Sequence, residues 1–152
     1  MLRIIVALSA SLACWTPLYA GTVEEAYAAV DQWVAAFNAN DPERTVAAYT
    51  PDAFVLGTVS PGLASGAGDL RAYFGASAAA RSQVKMGEWS ARVLSNDAVV
   101  FAGFYEFSRP VEGKLLTAPA RFSFVAVRRD GAWKLLHHHS SMRPAPPAAA
   151  PK

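Results

Sequence analysis

Apolar residues recur at three- and four-residue intervals after Thr22: Ala26, Val30, Trp33, Val34 and Phe37. That period predicts an amphipathic helix of about 17 residues, with Thr22 as N-cap and Glu25 at N3. Asn38-Ala39-Asn40 ends it, because Asn favours turns. Asp41-Pro42 restarts the chain as N-cap and N1 of a short second helix. That helix runs through Val46, Ala47 and Tyr49 and stops at Pro51-Asp52. The period then changes. Ala53 to Val59 is β-branched, aromatic and aliphatic, which predicts a first strand. Ser60-Pro61-Gly62 turns, and Gly66 to Gly68 reads as loose chain. Asp69 caps a third helix holding Leu70, Tyr73 and Phe74, fraying over Gly75 to Ser82.

Four longer strands follow. They are Glu88 to Ser95, Asp97 to Arg109, Leu116 to Arg129 and Ala132 to Ser141. Val99, Phe101, Tyr105 and Phe107 share one face of the second by alternation. Asn96-Asp97 makes a short hairpin connection, Pro110 to Gly113 turns, and Asp130-Gly131 is the strongest hairpin signal in the chain. Three helices followed by hairpin-linked antiparallel strands define an α+β fold. The helices bury their apolar stripes on one face of a curved sheet. A twisted sheet wrapped around helices makes a cone, and its open end is where a pocket forms.

The two ends read differently. Met1 to Ala20 has a positive start, an apolar run and a small residue before Gly21, the form of a secretory signal. Cleavage is expected after Ala20, which predicts a periplasmic or secreted protein. A lipoprotein anchored at Cys14 is the alternative, but the usual aliphatic residue three positions earlier is absent. Residues 21–143 form the expected domain. The Pro- and Ala-rich segment 144–152 is expected to be a flexible tail, since its prolines block helix and it has little to bury. Removal of the leader also removes the single Cys, so the mature domain relies on its core rather than on disulfides.

A hydrophobic share of 53% and a charged share of 17% suit a globular chain. The net charge is +2, with scattered Lys and Arg. No clustered basic face is present for nucleic acid, and no apolar run after the leader is long enough to span a bilayer.

Four segments carry a resemblance: Ala48-Tyr49-Thr50-Pro51-Asp52-Ala53 with Thr58-Val59-Ser60; Ala120-Arg121-Phe122-Ser123-Phe124-Val125; Arg128-Arg129-Asp130-Gly131-Ala132-Trp133; and His138-His139-Ser140-Ser141-Met142. In this order they resemble the nuclear transport factor 2-like superfamily with its cystatin-like cone. Within it, they are similar to SnoaL-like proteins of the SgcJ/EcaC type, related to the association domain of calcium/calmodulin-dependent protein kinase II. The resemblance implies a domain that self-associates, as a homodimer or a larger ring, and a pocket for small acids. It implies no kinase activity, because this chain has no Gly-rich loop with its Lys and no HRD-type loop. Relatives in the superfamily are isomerases or cyclases, among other roles.

The chemistry-bearing residues lie on the strands. Strict alternation places Leu136, His138 and Ser140 on one face of the last strand, and Trp133, Leu135, His137, His139 and Ser141 on the other. The resemblance turns the His138 face inward, with Ser140 where the kinase domain has an Arg. Three consecutive His cannot converge on one metal from a strand, and no Cys or other His completes a set, so neither metal nor cofactor is expected. Arg121 lies mid-strand with Ser123 on its face. It reads either as one half of a pair with Glu106 or as a cation for a ligand carboxylate. Glu106 is the candidate general base, and its bland reading is a solvent-facing or Arg-paired side chain. Tyr105 and His139 complete the expected ligand-binding set of Arg121, His138, Ser140, Ser123, Tyr105 and His139. Arg71 reads as a residue of the cavity mouth or of a solvated helix face. Two functions follow: a small-molecule-binding, self-associating domain, or an isomerase, cyclase or hydrolase using His138 as acid or base with Arg121 or Tyr105 polarising a carbonyl.

Overall fold

The computed structural model describes residues 18–145. The expected leader and tail fall almost entirely outside these residues. Three helices and six strands follow in the order α1 (Leu18–Asn38), α2 (Pro42–Ala47), β1 (Tyr49–Leu56), β2 (Leu63–Ser65), α3 (Gly66–Ala79), β3 (Gln83–Ser95), β4 (Ala98–Val111), β5 (Lys114–Arg129) and β6 (Ala132–Met142). They form one sheet, ordered β2-β1-β6-β5-β4-β3. Among the described residues, no helix is long and apolar enough to cross a membrane.

The apolar stripe of α1 forms as its period predicts. Ala26, Ala29, Val30, Trp33 and Phe37 are buried against Val99, Phe101, Tyr105, Phe122, Phe124 and Leu135 of the sheet. Thr22 is not the cap, because the helix is already running at Leu18. Asp41 does cap α2, its carboxylate accepting from the Arg44 N–H at 3.0 Å.

Tyr49 belongs to β1, not to α2. The helix stops at Ala47 because the chain leaves to pair in parallel with β6, Tyr49 opposite Leu135 and Phe54 opposite His137. The register shifts between Tyr49 and Phe54, where Pro51 has no N–H to give. A short strand not expected from the sequence, β2, follows the Ser60-Pro61-Gly62 turn, antiparallel to β1, and Gly66 to Gly68, expected to be loose, is helical. The α3 helix begins at Gly66, with Ser65 as N-cap and Asp69 in its first turn, and continues through Gly75 to Ala79.

At the β5–β6 turn, Asp130 and Gly131 have φ of 52° and 77°. Both signs suit the tight hairpin that Asp-Gly favours. Gly103 of β4 has a different constraint. Its partner Trp89 sits where β3 is irregular, and a Cβ added at Gly103 would lie 2.7 Å from Trp89 Cα. Gly103→Ala should therefore destabilise the fold by about 1–3 kcal/mol. A urea midpoint equal to that of the wild type would contradict this contact.

Candidate functional site

The last strand holds one residue more than its neighbour. Val125 faces His137, but Ala126 faces Leu135, so Leu136 is the extra residue. This slip corrects the strict alternation expected for β6. Leu135, His138 and Ser140 are all buried, and His139 is exposed.

His138 lies in a row of inward side chains, between Val55 on β1 and Phe124 on β5. Its ring sits 4.2 Å from the Phe124 ring, and edge-on to Trp33 at 5.1 Å. Both ring nitrogens are engaged. Tyr49 Oη meets Nδ1 at 2.9 Å, and Tyr105 Oη meets Nε2 at 3.0 Å. Burial pushes the imidazole pKa down to about 3, with His137 and His139 adding to the fall. A neutral imidazole donates through one nitrogen and accepts at the other, so one tyrosine oxygen accepts from the ring N–H and the other tyrosine hydroxyl donates to the bare ring nitrogen. Burial also holds both tyrosine hydroxyls well above their ordinary range. The trio is therefore uncharged. Beside it, Ser140 Oγ and Thr58 Oγ1 are hydrogen-bonded to each other.

His138, Ser140 and Thr58 line a cavity of about 620 Å³, whereas Tyr49 and Tyr105 are not among its lining residues; the volume is within the size range of small-molecule sites. Trp33 and Phe37 of α1, Tyr73 and Phe74 of α3, and Phe107 of β4 supply apolar wall. The loop after β1, from Thr58 to Pro61, closes one side. Arg109, Leu116 and Met142, near the ends of β4, β5 and β6, also line it. No Asp or Glu is among the described lining residues.

The site residues expected from sequence divide by face. His138, Ser140 and Tyr105 point inward. Arg121, Ser123, His139 and Glu106 do not. Ser123 faces His139 across the ladder, and Arg121 faces Ser141 and bonds its Oγ at 2.9 Å, all on the outer side of the sheet. The neighbours of Arg121 in its own strand, Ala120 and Phe122, hold the inner positions. The expected concave face shared by Arg121 and His138 therefore does not exist, and no Arg121–Glu106 pair forms among the described residues. Arg71 is bound to Glu43, its Nε 3.0 Å from both carboxylate oxygens. Asp52 is a strand residue paired with Arg129 at 2.6 Å. Phe54 is exposed on the sheet and packs on His137 at 4.6 Å between ring centroids. Among the described residues no cluster of three or more His, Cys, Asp or Glu could hold a metal. Tyr49, Thr58 and Arg109 are site residues that periodicity does not single out.

A curved sheet closed over helices, with a pocket between them, is the nuclear transport factor 2-like architecture with a cystatin-like fold. The model of the SnoaL-like domain matches residues 27–146, and the chain belongs to that family. A Xanthomonas campestris protein, provisionally described as a calcium/calmodulin-dependent protein kinase II association domain, is 32% identical. Its structure superimposes with a TM-score of 0.74 over 79% of this chain and 86% of that one. A Novosphingobium aromaticivorans protein described as nuclear transport factor 2-like with a cystatin-like fold shares 15% identity, with a TM-score of 0.74 over 91% and 96% of the two chains. A Streptomyces avermitilis protein provisionally described as a dehydratase shares 19% identity, with a TM-score of 0.73 over 83% and 99%. No curated protein matches the sequence.

Proposed function

We propose that this chain is an exported, self-associating domain that holds a small, largely apolar molecule in the cone. The observation that carries the reading is the cavity, apolar along its walls and lined at one end by His138, Ser140 and Thr58, with the His138 imidazole held neutral and bonded at both nitrogens to Tyr49 and Tyr105. Turnover by an isomerase, cyclase or hydrolase fits less well. A base buried neutral down to about pH 3 accepts protons weakly, and no lining carboxylate stands in for it. Self-association is supported by the outer sheet face, where Phe54 and Phe104 stand exposed, and by the likeness to the association-domain protein. Export is supported by the leader pattern of residues 1–20 alone.

Native mass spectrometry of the protein purified from its own host tests both halves. The expected spectrum is a dimer or larger ring carrying a small molecule, with the molecule lost in Ser77→Phe, which fills the cavity from α3. An empty monomer would sink the reading.

A further inference from the structure

We infer that the open end of the cone is a docking surface for an anionic lipid bilayer, with an apolar rim entering the lipid and a set of cations at the headgroups. The surface stands on its own, whatever the cavity holds. Docked this way, the cavity opens onto the bilayer rather than onto water.

Val59, Leu116 and Met142 line the cavity and are also exposed, so they mark where it opens. Val59 is 84% exposed, and Leu115, beside Leu116 near the tip of the β4–β5 hairpin, is 68% exposed. None of the four belongs to the core. They come from separate parts of the chain: the loop after β1, the start of β5 and the end of β6. Single exposed apolar residues are ordinary, but a set gathered around one opening marks an interaction surface.

Charge selects the partner. Arg109 lines the opening, Arg81 lies between the lining residues Ala80 and Ser82, and Lys114 begins β5. All three are exposed, and no ion pair engages them among the described residues. Glu112 is the one acid in the segments that carry them, 80–83 and 109–116. Arg143 is turned onto the Phe104 ring instead. The opposite end, at the β3–β4 and β5–β6 turns, holds Asp97 and Asp130, and its arginines are paired: Arg128 with Glu25 and Asp97, Arg129 with Asp52. A second copy packed mouth to mouth would set the rim cations against their own images. A bilayer with anionic headgroups attracts them, while its acyl chains take up the apolar rim around the opening.

Flotation of the purified protein with lipid vesicles tests the docking. The protein should float with vesicles of equal parts phosphatidylcholine and phosphatidylglycerol, stay behind with phosphatidylcholine alone, and bind less as salt rises. Leu115→Ser combined with Leu116→Ser should abolish flotation. Arg109→Gln and Lys114→Gln should each weaken it about fivefold, the size of one cation near an anionic surface. Arg121→Gln, on the outer face of the sheet, should leave it unchanged. Every altered side chain is exposed, so the variants should melt with the wild type, and lost binding will not reflect unfolding. No flotation with either vesicle, equal flotation with both, or flotation that survives the double leucine variant would overturn the inference. An oligomer that falls apart in the double leucine variant, from a wild type that does not float, would assign the rim to a second copy and overturn it too. A protein that holds a small molecule but does not float would overturn the docking and leave the cavity reading standing.

Discussion

Acidification from about pH 6.5 to about pH 4.5 should remove about 2–3 kcal/mol of folding stability, and His138→Gln should abolish most of that loss. In the unfolded chain the imidazole titrates near its ordinary value of about 6.5. In the fold burial pushes it down to about 3. Between those values the unfolded state binds more protons than the native one. Stability is therefore complete above the upper value and falls as pH drops toward the lower one, by about 1.4 kcal/mol per unit. The upper two units of this window lie above the titration of most carboxylates, which isolates the histidine. His137 is shifted the same way by burial, but it is more exposed and adds less. Urea unfolding of the wild type, His138→Gln and His137→Gln at both pH values measures the difference. At neutral pH, His138→Gln should itself cost about 1–3 kcal/mol, since one amide cannot reach both tyrosine hydroxyls. If the wild type and His138→Gln lose equal stability on acidification, the imidazole is not held neutral by the fold.

Trp33→Ala should cost about 3–5 kcal/mol, the range for removing a fully buried large aromatic. Trp33 is 0% exposed and joins three parts of the molecule. It packs against Phe37 in its own helix at 5.3 Å between ring centroids, against Phe124 of the sheet at 5.4 Å, and edge-on to His138. It also forms part of the cavity wall, so the variant should lose binding together with stability. Trp133→Ala serves as the reference. Trp133 is half-buried at the edge of the core, under the Arg128 guanidinium, and should cost less than half as much. A near-neutral Trp33→Ala would mean that α1 is not anchored through this ring.

What the sequence showed, and what it missed, follows from how local each signal is. The α1 stripe, the Asp41 cap and the Asp130-Gly131 turn are written in residues a few positions apart, and all three form. The limits of β1 depend instead on pairing with β6, a partner some eighty residues away, so Tyr49 and Thr50 looked like the end of a helix. β2 has three residues and owes its existence to β1. The site shows the same division. His138, Ser140 and Tyr105 were legible as an inward set, but Glu106 and His139 are their sequence neighbours, one position out of phase, and Arg121 and Ser123 pair with Ser141 and His139 on the outer side. Only register separates the two faces, and the extra residue at Leu136 sets that register inside a run where Leu-Leu-His-His-His gives alternation nothing to read. Tyr49 reaches His138 only because a parallel pairing brings β1 beside β6. Arg109 looked like the end of a hairpin strand, and only the arrangement of three strand ends around it makes it part of a mouth.

The same parallel pairing orders events in time. Tyr49 and His138 are 89 residues apart, and of the strands in this sheet β6, which carries His138, is synthesised after the other five. Until β6 arrives, β1 has only the short β2 beside it, while β3, β4 and β5 can already zip into a meander through local turns. Closing so long a loop is the slow entropic step in such a topology. Pocket and native sheet should therefore appear together and late, and a chain cut short before Leu135 would lack half of its site as well as the strand that bridges its sheet.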